Sequence, residues 1–169
     1  FLMDPIIYGA QQHEFFTIFQ KNFRCRPFFM DKINIEKIFG SEIKELMELI
    51  STSGKECYIV GGAVRDFLLG HKNFIDIDLT TSLRVQALIK IFNKNKIEFD
   101  DRAIRYNCLT IRTQTKKCVQ ITSFRKDIRT FGRAADIEII DNIEEDAKRR
   151  DFTINALYCS LDGEIVDPL

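Results

Sequence analysis

The stretch from Tyr58 to Thr81, YIVGGAVRDFLLGHKNFIDIDLTT, constrains this chain more than any other. A strand-like apolar run ends at Gly61-Gly62, a short helical pattern carries Arg65 and Asp66, and a second apolar run displays Asp76 and Asp78. Two adjacent glycines let backbone N–H groups come close to an anion, and the helix after them turns its positive dipole end toward the same place. Asp76 and Asp78 stand at i and i+2, so on a strand both carboxylates leave from one face, roughly 6–7 Å apart at Cα. Paired oxygens at that spacing suit magnesium. The stretch reads as a phosphate cradle followed by a metal clasp.

The rest of the chain is compatible with an ordinary globular domain around that stretch. Its 169 residues are a one-domain length, 45% hydrophobic and 30% charged. No segment approaches the apolar run of about 18 residues that spans a membrane. Five cysteines (Cys25, Cys57, Cys108, Cys118, Cys159) form no CxxC pair, and with His13 and His71 they match no zinc spacing. A reducing, cytoplasmic setting is the expectation.

The formal net charge is zero, which argues against a strongly basic coat. Charge is nevertheless uneven. Between Arg102 and Arg133 nine basic residues face one acid, Asp127. Lys116-Lys117 reads as a solvated hairpin tip; the run as a whole suits a phosphate-rich ligand.

Residues 1–31 are expected to be an N-terminal extension and 32–169 the domain proper. Seven of the fifteen phenylalanines fall in the first thirty positions without helical or strand periodicity, and Met30 would be a natural start. From Ile33 the apolar steps Ile35, Ile38, Phe39, Ile43, Leu46, Met47 and Ile50 predict a helix in two pieces, broken at Gly40-Ser41, with Ser41 capping the second and Gly54 closing it. A strand over Glu56–Val60 and a helix over Ala63–Leu69 lead to the aspartate strand, and Leu83–Asn93 reads as a surface helix. Cys108–Arg112 and Cys118–Thr122 alternate as a hairpin. Residues 124–134 read as a mobile basic loop and Asp141–Arg150 as a helix with acids early and bases late. A short hairpin turning at Asp162-Gly163 ends the pattern. The fold class is α+β: a small mixed β-sheet of about five strands with helices packed on one side and the site at one edge.

GxGxxG, GxxxxGK[ST] and GxSxG are absent from the chain, and no cysteine has a plausible histidine base. Two acids on a strand are by themselves common on solvent faces. The glycine pair, Arg65 and the spacing give this pair its meaning.

GGAVRDFLLG, then DIDLTT, then RRDFTINALY with a terminal DP resemble the head domain of class II nucleotidyltransferases, which include tRNA CCA-adding enzymes and bacterial poly(A) polymerases. The resemblance covers roughly residues 32–169. It implies transfer of NMP from CTP or ATP to the 3′ end of RNA, tRNA in particular, with magnesium as cofactor and pyrophosphate leaving. By match to the motifs, Asp76 and Asp78 are the catalytic metal ligands. Gly61, Gly62, Arg65 and Arg150 hold the nucleotide, and Asp151 and Asn155 brace the site.

The chain also departs from that pattern. QITSFR carries Gln120 where the resemblance implies a glutamate completing the aspartate pair. Leu109 replaces a glycine before Thr110, and Arg133-Ala134-Ala135 lacks the histidine of a GRHA-like stretch. The family continues past the DP into neck, body and tail, so a separate neck and body chain is an implied partner. The alternatives are a degenerate head that binds nucleotide without transferring it, and an RNA-binding or interaction module in which the basic run matters and the aspartates do not.

Overall fold

The computed structural model describes residues 32–131 and 134–169. The extension expected over 1–31, and Arg133, lie outside the described residues. Helices α1 (Ile35–Phe39) and α2 (Ser41–Ser51) gather the apolar steps into one buried stripe of Ile35, Phe39, Ile43, Leu46, Met47 and Ile50. Asn34 caps α1, its side-chain oxygen accepting the Lys37 N–H at 2.9 Å. The cap expected at Ser41 is corrected. Gly40 both ends α1 and occupies the N-cap of α2, so Ser41 already lies inside the helix and no side chain caps it.

Then follow β1 (Cys57–Val60), α3 (Gly62–Leu68), β2 (Asp76–Thr81), α4 (Val85–Lys94), β3 (Cys108–Arg112), β4 (Cys118–Ser123), β5 (Arg125–Phe131), β6 (Ala134–Ile139), α5 (Ile143–Lys148), β7 (Tyr158–Ser160) and β8 (Ile165–Val166). Six of these strands, rather than about five, make a mixed sheet in the order β3-β4-β2-β1-β7-β8. Its pairs are antiparallel except β2 with β4. Strand alternation sends Ile59, Ile77, Leu79, Leu109, Val119, Ile121 and Cys159 to one face, where they meet α1 to α4 in the main core. Each fully buried aliphatic side chain there contributes about 1.5–3 kcal/mol.

The other face is only partly covered. Val60 and Tyr158 pack with Ala147 of α5 and with Ala156 in a small second core, so one short helix lies opposite the rest. The expectation of helices on one side therefore holds for α1 to α4 and not for α5. Beyond this second core the face stays open around Asp76 and Asp78, both exposed.

The loop expected over 124–134 is corrected too. Arg125–Phe131 pairs antiparallel with Ala134–Ile139 as a separate two-stranded ladder, with an irregularity between Asp127 and Arg129. Its sequence, RKDIRTF, lacks the apolar alternation that reveals a half-buried strand.

The closing hairpin turns at Gly163 with φ +79°, and Gly163 O accepts the Ile33 N–H at 2.9 Å. A Cβ at this position would lie 1.9 Å from the Ile33 carbonyl oxygen. Gly163→Ala should therefore cost at least about 2 kcal/mol, from the left-handed backbone and the forced displacement together. Urea unfolding should show a lower midpoint with an unchanged slope; a wild-type midpoint would contradict the contact.

Candidate active site

Gly61 is the point on which the site converges. It sits between β1 and α3 with φ +77°, and its N–H donates to Leu157 O at 3.3 Å. A Cβ here would come within 3.6 Å of Asp78 Oδ2, 3.9 Å of Asn155 O and 4.0 Å of Arg150 Nη1. Only glycine leaves that space to a ligand while accepting the backbone conformation. The first turn of α3 is likewise open, with no side-chain cap at its start.

Strand register assembles the open face. Val60 pairs with Asp78, Asp78 with Gln120 across the parallel pair, and Gln120 with Thr110, so these residues form one row across four strands. Asp76 lies one step along, paired with Cys118. Asp76, Asp78 and Gln120 are all exposed. The Asp78 carboxyl is raised above its ordinary 3.8, chiefly by partial burial; the charge of Arg150 works against this, and the charge of Asp76 adds a smaller upward push. A partly buried carboxylate with a second carboxylate beside it is an electrostatic setting in which a divalent cation gains.

The two predicted nucleotide arginines are held differently. Arg65 donates from Nη1 to Asn155 Oδ1 and from Nε to Asp66 Oδ1, both at 2.8 Å. Its Nη2 would stand 3.5 Å from a Cβ on Gly62, so the guanidinium folds back beside the glycine pair. Arg150 donates from Nε to the Tyr158 hydroxyl at 3.1 Å and from Nη2 to Asp146 Oδ2 at 3.1 Å. Asn155 thus braces Arg65. Asp151, by contrast, is exposed and makes no hydrogen bond or ion pair among the described residues, so the bracing expected of it is not seen.

The sequence reading missed Asp146 and Tyr158. Asp146 is fully buried; it accepts from Tyr158 and Arg150 on Oδ2 and from Arg149 and the Arg125 N–H on Oδ1. Burial works to raise its pKa, but Arg149, Arg150, the Tyr158 hydroxyl and the Arg125 N–H outweigh it and hold the carboxyl below 3.8. Its stabilising contribution is present above the ordinary aspartate value and lost as pH falls through the lowered one. The i,i+4 spacing of Asp146 and Arg150 was a readable signal for one of these contacts.

The residues fit magnesium. Among the described residues no group of three or more histidine, cysteine, aspartate or glutamate side chains converges. Two carboxylates with an amide beside them is nonetheless an all-oxygen donor set of the kind magnesium accepts, with water and substrate phosphates supplying the rest. No helix among the described residues is long and apolar enough to cross a membrane.

A family described as the poly(A) polymerase head domain matches residues 57–169. The CCA-adding enzyme of Lactobacillus johnsonii is 36% identical over 136 residues, covering 79% of this chain and 32% of that one. The mitochondrial CCA tRNA nucleotidyltransferase 1 of Homo sapiens is 34% identical over 133 residues, covering 78% and 30%. Among solved structures, the Bacillus stearothermophilus CCA-adding enzyme in complex with CTP superposes with a TM-score of 0.64 at 30% identity, covering 76% of this chain and 29% of that one. The chain spans about a third of the length of the curated relatives it matches.

The electrostatics of the open face make a direct prediction. In an NMR titration without divalent ions the Asp78 carboxyl should titrate above 3.8, lower in Asp76→Asn and higher in Arg150→Met. A midpoint at or below 3.8 in the wild type would contradict the partial burial of Asp78.

Proposed function

The chain belongs to the poly(A) polymerase head-domain family, and from that premise we propose that it is the catalytic head of an RNA nucleotidyltransferase. The reaction is transfer of NMP from CTP or ATP to the 3′ end of RNA, with tRNA CCA addition as the specific activity. The observation that carries this reading is the meeting of Asp78, Gly61 and Arg150 within 4.0 Å of one point on an open sheet face. The matched relatives named as CCA-adding enzymes support it.

In this reading residues 32–169 are the head, and the neck and body come from elsewhere in a longer or split enzyme in the cytoplasm. Asp76 and Asp78 hold magnesium, which when bound neutralises phosphate charge and lowers the pKa of the attacking hydroxyl. Gly61 and Gly62 bring main-chain N–H groups against the triphosphate. Arg150 flanks it with positive charge and Arg65, paired with Asp66, with directed hydrogen-bond donors, each fixed beforehand by its own partners. The RNA 3′ oxygen forms the new bond to the α-phosphorus as the bond to the bridging oxygen of pyrophosphate breaks, and the hydroxyl proton passes to solvent. The chain's own contribution is orientation and charge placed before substrate arrives.

One observation favours a second reading, a head that binds nucleotide but transfers it slowly. Gln120 pairs in register with Asp78 and presents an uncharged amide on the carboxylate face. One fewer negative charge there weakens the hold on a second cation.

Calorimetry should detect magnesium-dependent binding of CTP or ATP that disappears in Asp76→Ala with Asp78→Ala. Absence of binding in the wild type would sink the first reading. Gln120→Glu should tighten divalent-ion affinity by about tenfold. An unchanged affinity would remove Gln120 from the site and the second reading with it.

A further inference from the structure

Asp146 is the one charged side chain without exposed surface among the described residues. It answers two guanidinium groups with a single negative charge. Arg149 and Arg150 lie 2.9 Å and 3.1 Å from its two different oxygens, with side chains only 14% and 16% exposed. One positive charge is left over in a place with little water. Such an excess is costly unless an anion lies next to it.

The direction of the excess can be read from Arg150. Its Nε is taken by Tyr158 and its Nη2 by Asp146, while Nη1 has no hydrogen-bond partner among the described residues. That Nη1 is the atom standing 4.0 Å from the Cβ position of Gly61. The Tyr158 ring supports the same guanidinium at 5.4 Å, and its hydroxyl donates to Asp146 Oδ2 at 2.9 Å, closing a three-membered ring of contacts. The other oxygen, Oδ1, serves Arg149 and the Arg125 N–H at the start of β5.

We propose that Asp146 is a positioning residue whose two oxygens do separate tasks. Oδ2, with the Tyr158 hydroxyl, aims Arg150 Nη1 at phosphate oxygens seated over Gly61. Oδ1 fastens Arg149 and the first residue of β5, which is a matter of stability. The inference rests on the nucleotide reading of the site and assigns the residues that orient its arginine.

The test separates the two oxygens in the full chain. Tyr158→Phe removes a contact on the Oδ2 side and should weaken ATP binding in the presence of magnesium by about tenfold. Arg149→Lys keeps the charge and loses the guanidinium contacts on the Oδ1 side; it should lower the urea midpoint and leave ATP affinity within about twofold. Asp146→Asn should lose both, and if it does not fold, the other two variants still decide. Wild-type ATP affinity in Tyr158→Phe, or equal weakening in Tyr158→Phe and Arg149→Lys, overturns the inference and leaves the nucleotide reading standing. A wild-type chain that binds no ATP removes that reading and this inference together.

Discussion

Ile77 and Leu79 are each 1% exposed, and the aspartates on either side of Ile77 open to solvent. A single register, fixed by β1 on one side and β4 on the other, produces both results. A slip of one residue would carry Asp76 and Asp78 into the main core and expose the isoleucine and leucine. The burial of one sheet face and the display of two carboxylates on the other are thus one constraint. Core packing by α1 to α4 enforces the register, and the register supplies the candidate chemistry.

The two faces of the sheet are covered to different degrees for a related reason. Helices α1 to α4 bury one side, leaving a row that runs from Thr110 through Gln120 and Asp78 to Val60. α5 then covers only the β1 and β7 end of the opposite face, where Val60 and Tyr158 are apolar enough to bury. The aspartates lie just beyond that patch. Arg150 follows α5 closely and so arrives at the boundary between covered and open surface. Its guanidinium is mostly sheltered and still reaches the glycine turn.

Legibility in the sequence followed the range of the interactions. The turn at Gly61-Gly62, the outward pairing of Asp76 and Asp78, the hairpin of β3 with β4 and the turn at Gly163 all rest on local geometry or two-residue alternation, and each was readable. The β5 and β6 ladder was not, because RKDIRTF has no apolar face to betray its period. Asp146 was visible as part of an acid-to-base helix, and the dipole explained it without remainder. Arg149 and Arg150 stand within a helical turn of it, but its other partners stand 12 residues on at Tyr158 and 21 back at Arg125, a distance at which one sequence offers no pairing signal.

Charge on the open face sorts the residues that local reading had grouped together. Arg65 carries its own counterion, since Asp66 Oδ1 lies 2.8 Å from both its Nε and its Nη2, and the pair is close to neutral as seen by an approaching anion. Arg150 shares one buried carboxylate with Arg149, so the group around Asp146 keeps a net positive charge. Asp76 and Asp78 face that charge with two negatives, the nearer of them already tempered by Arg150. Negative and positive centres therefore stand apart across Gly61, unable to collapse on each other because the β1–β2 register and the Asp146 ring hold each in place. A ligand carrying both phosphate oxygens and a divalent cation matches the two halves at once, whereas a bare anion or a bare cation matches one and is repelled by the other. The same comparison ranks the arginines within the proposed site: Arg150 would supply the attraction for phosphate, and Arg65, paired with Asp66 and fixed by Asn155, would supply shape and hydrogen-bond direction.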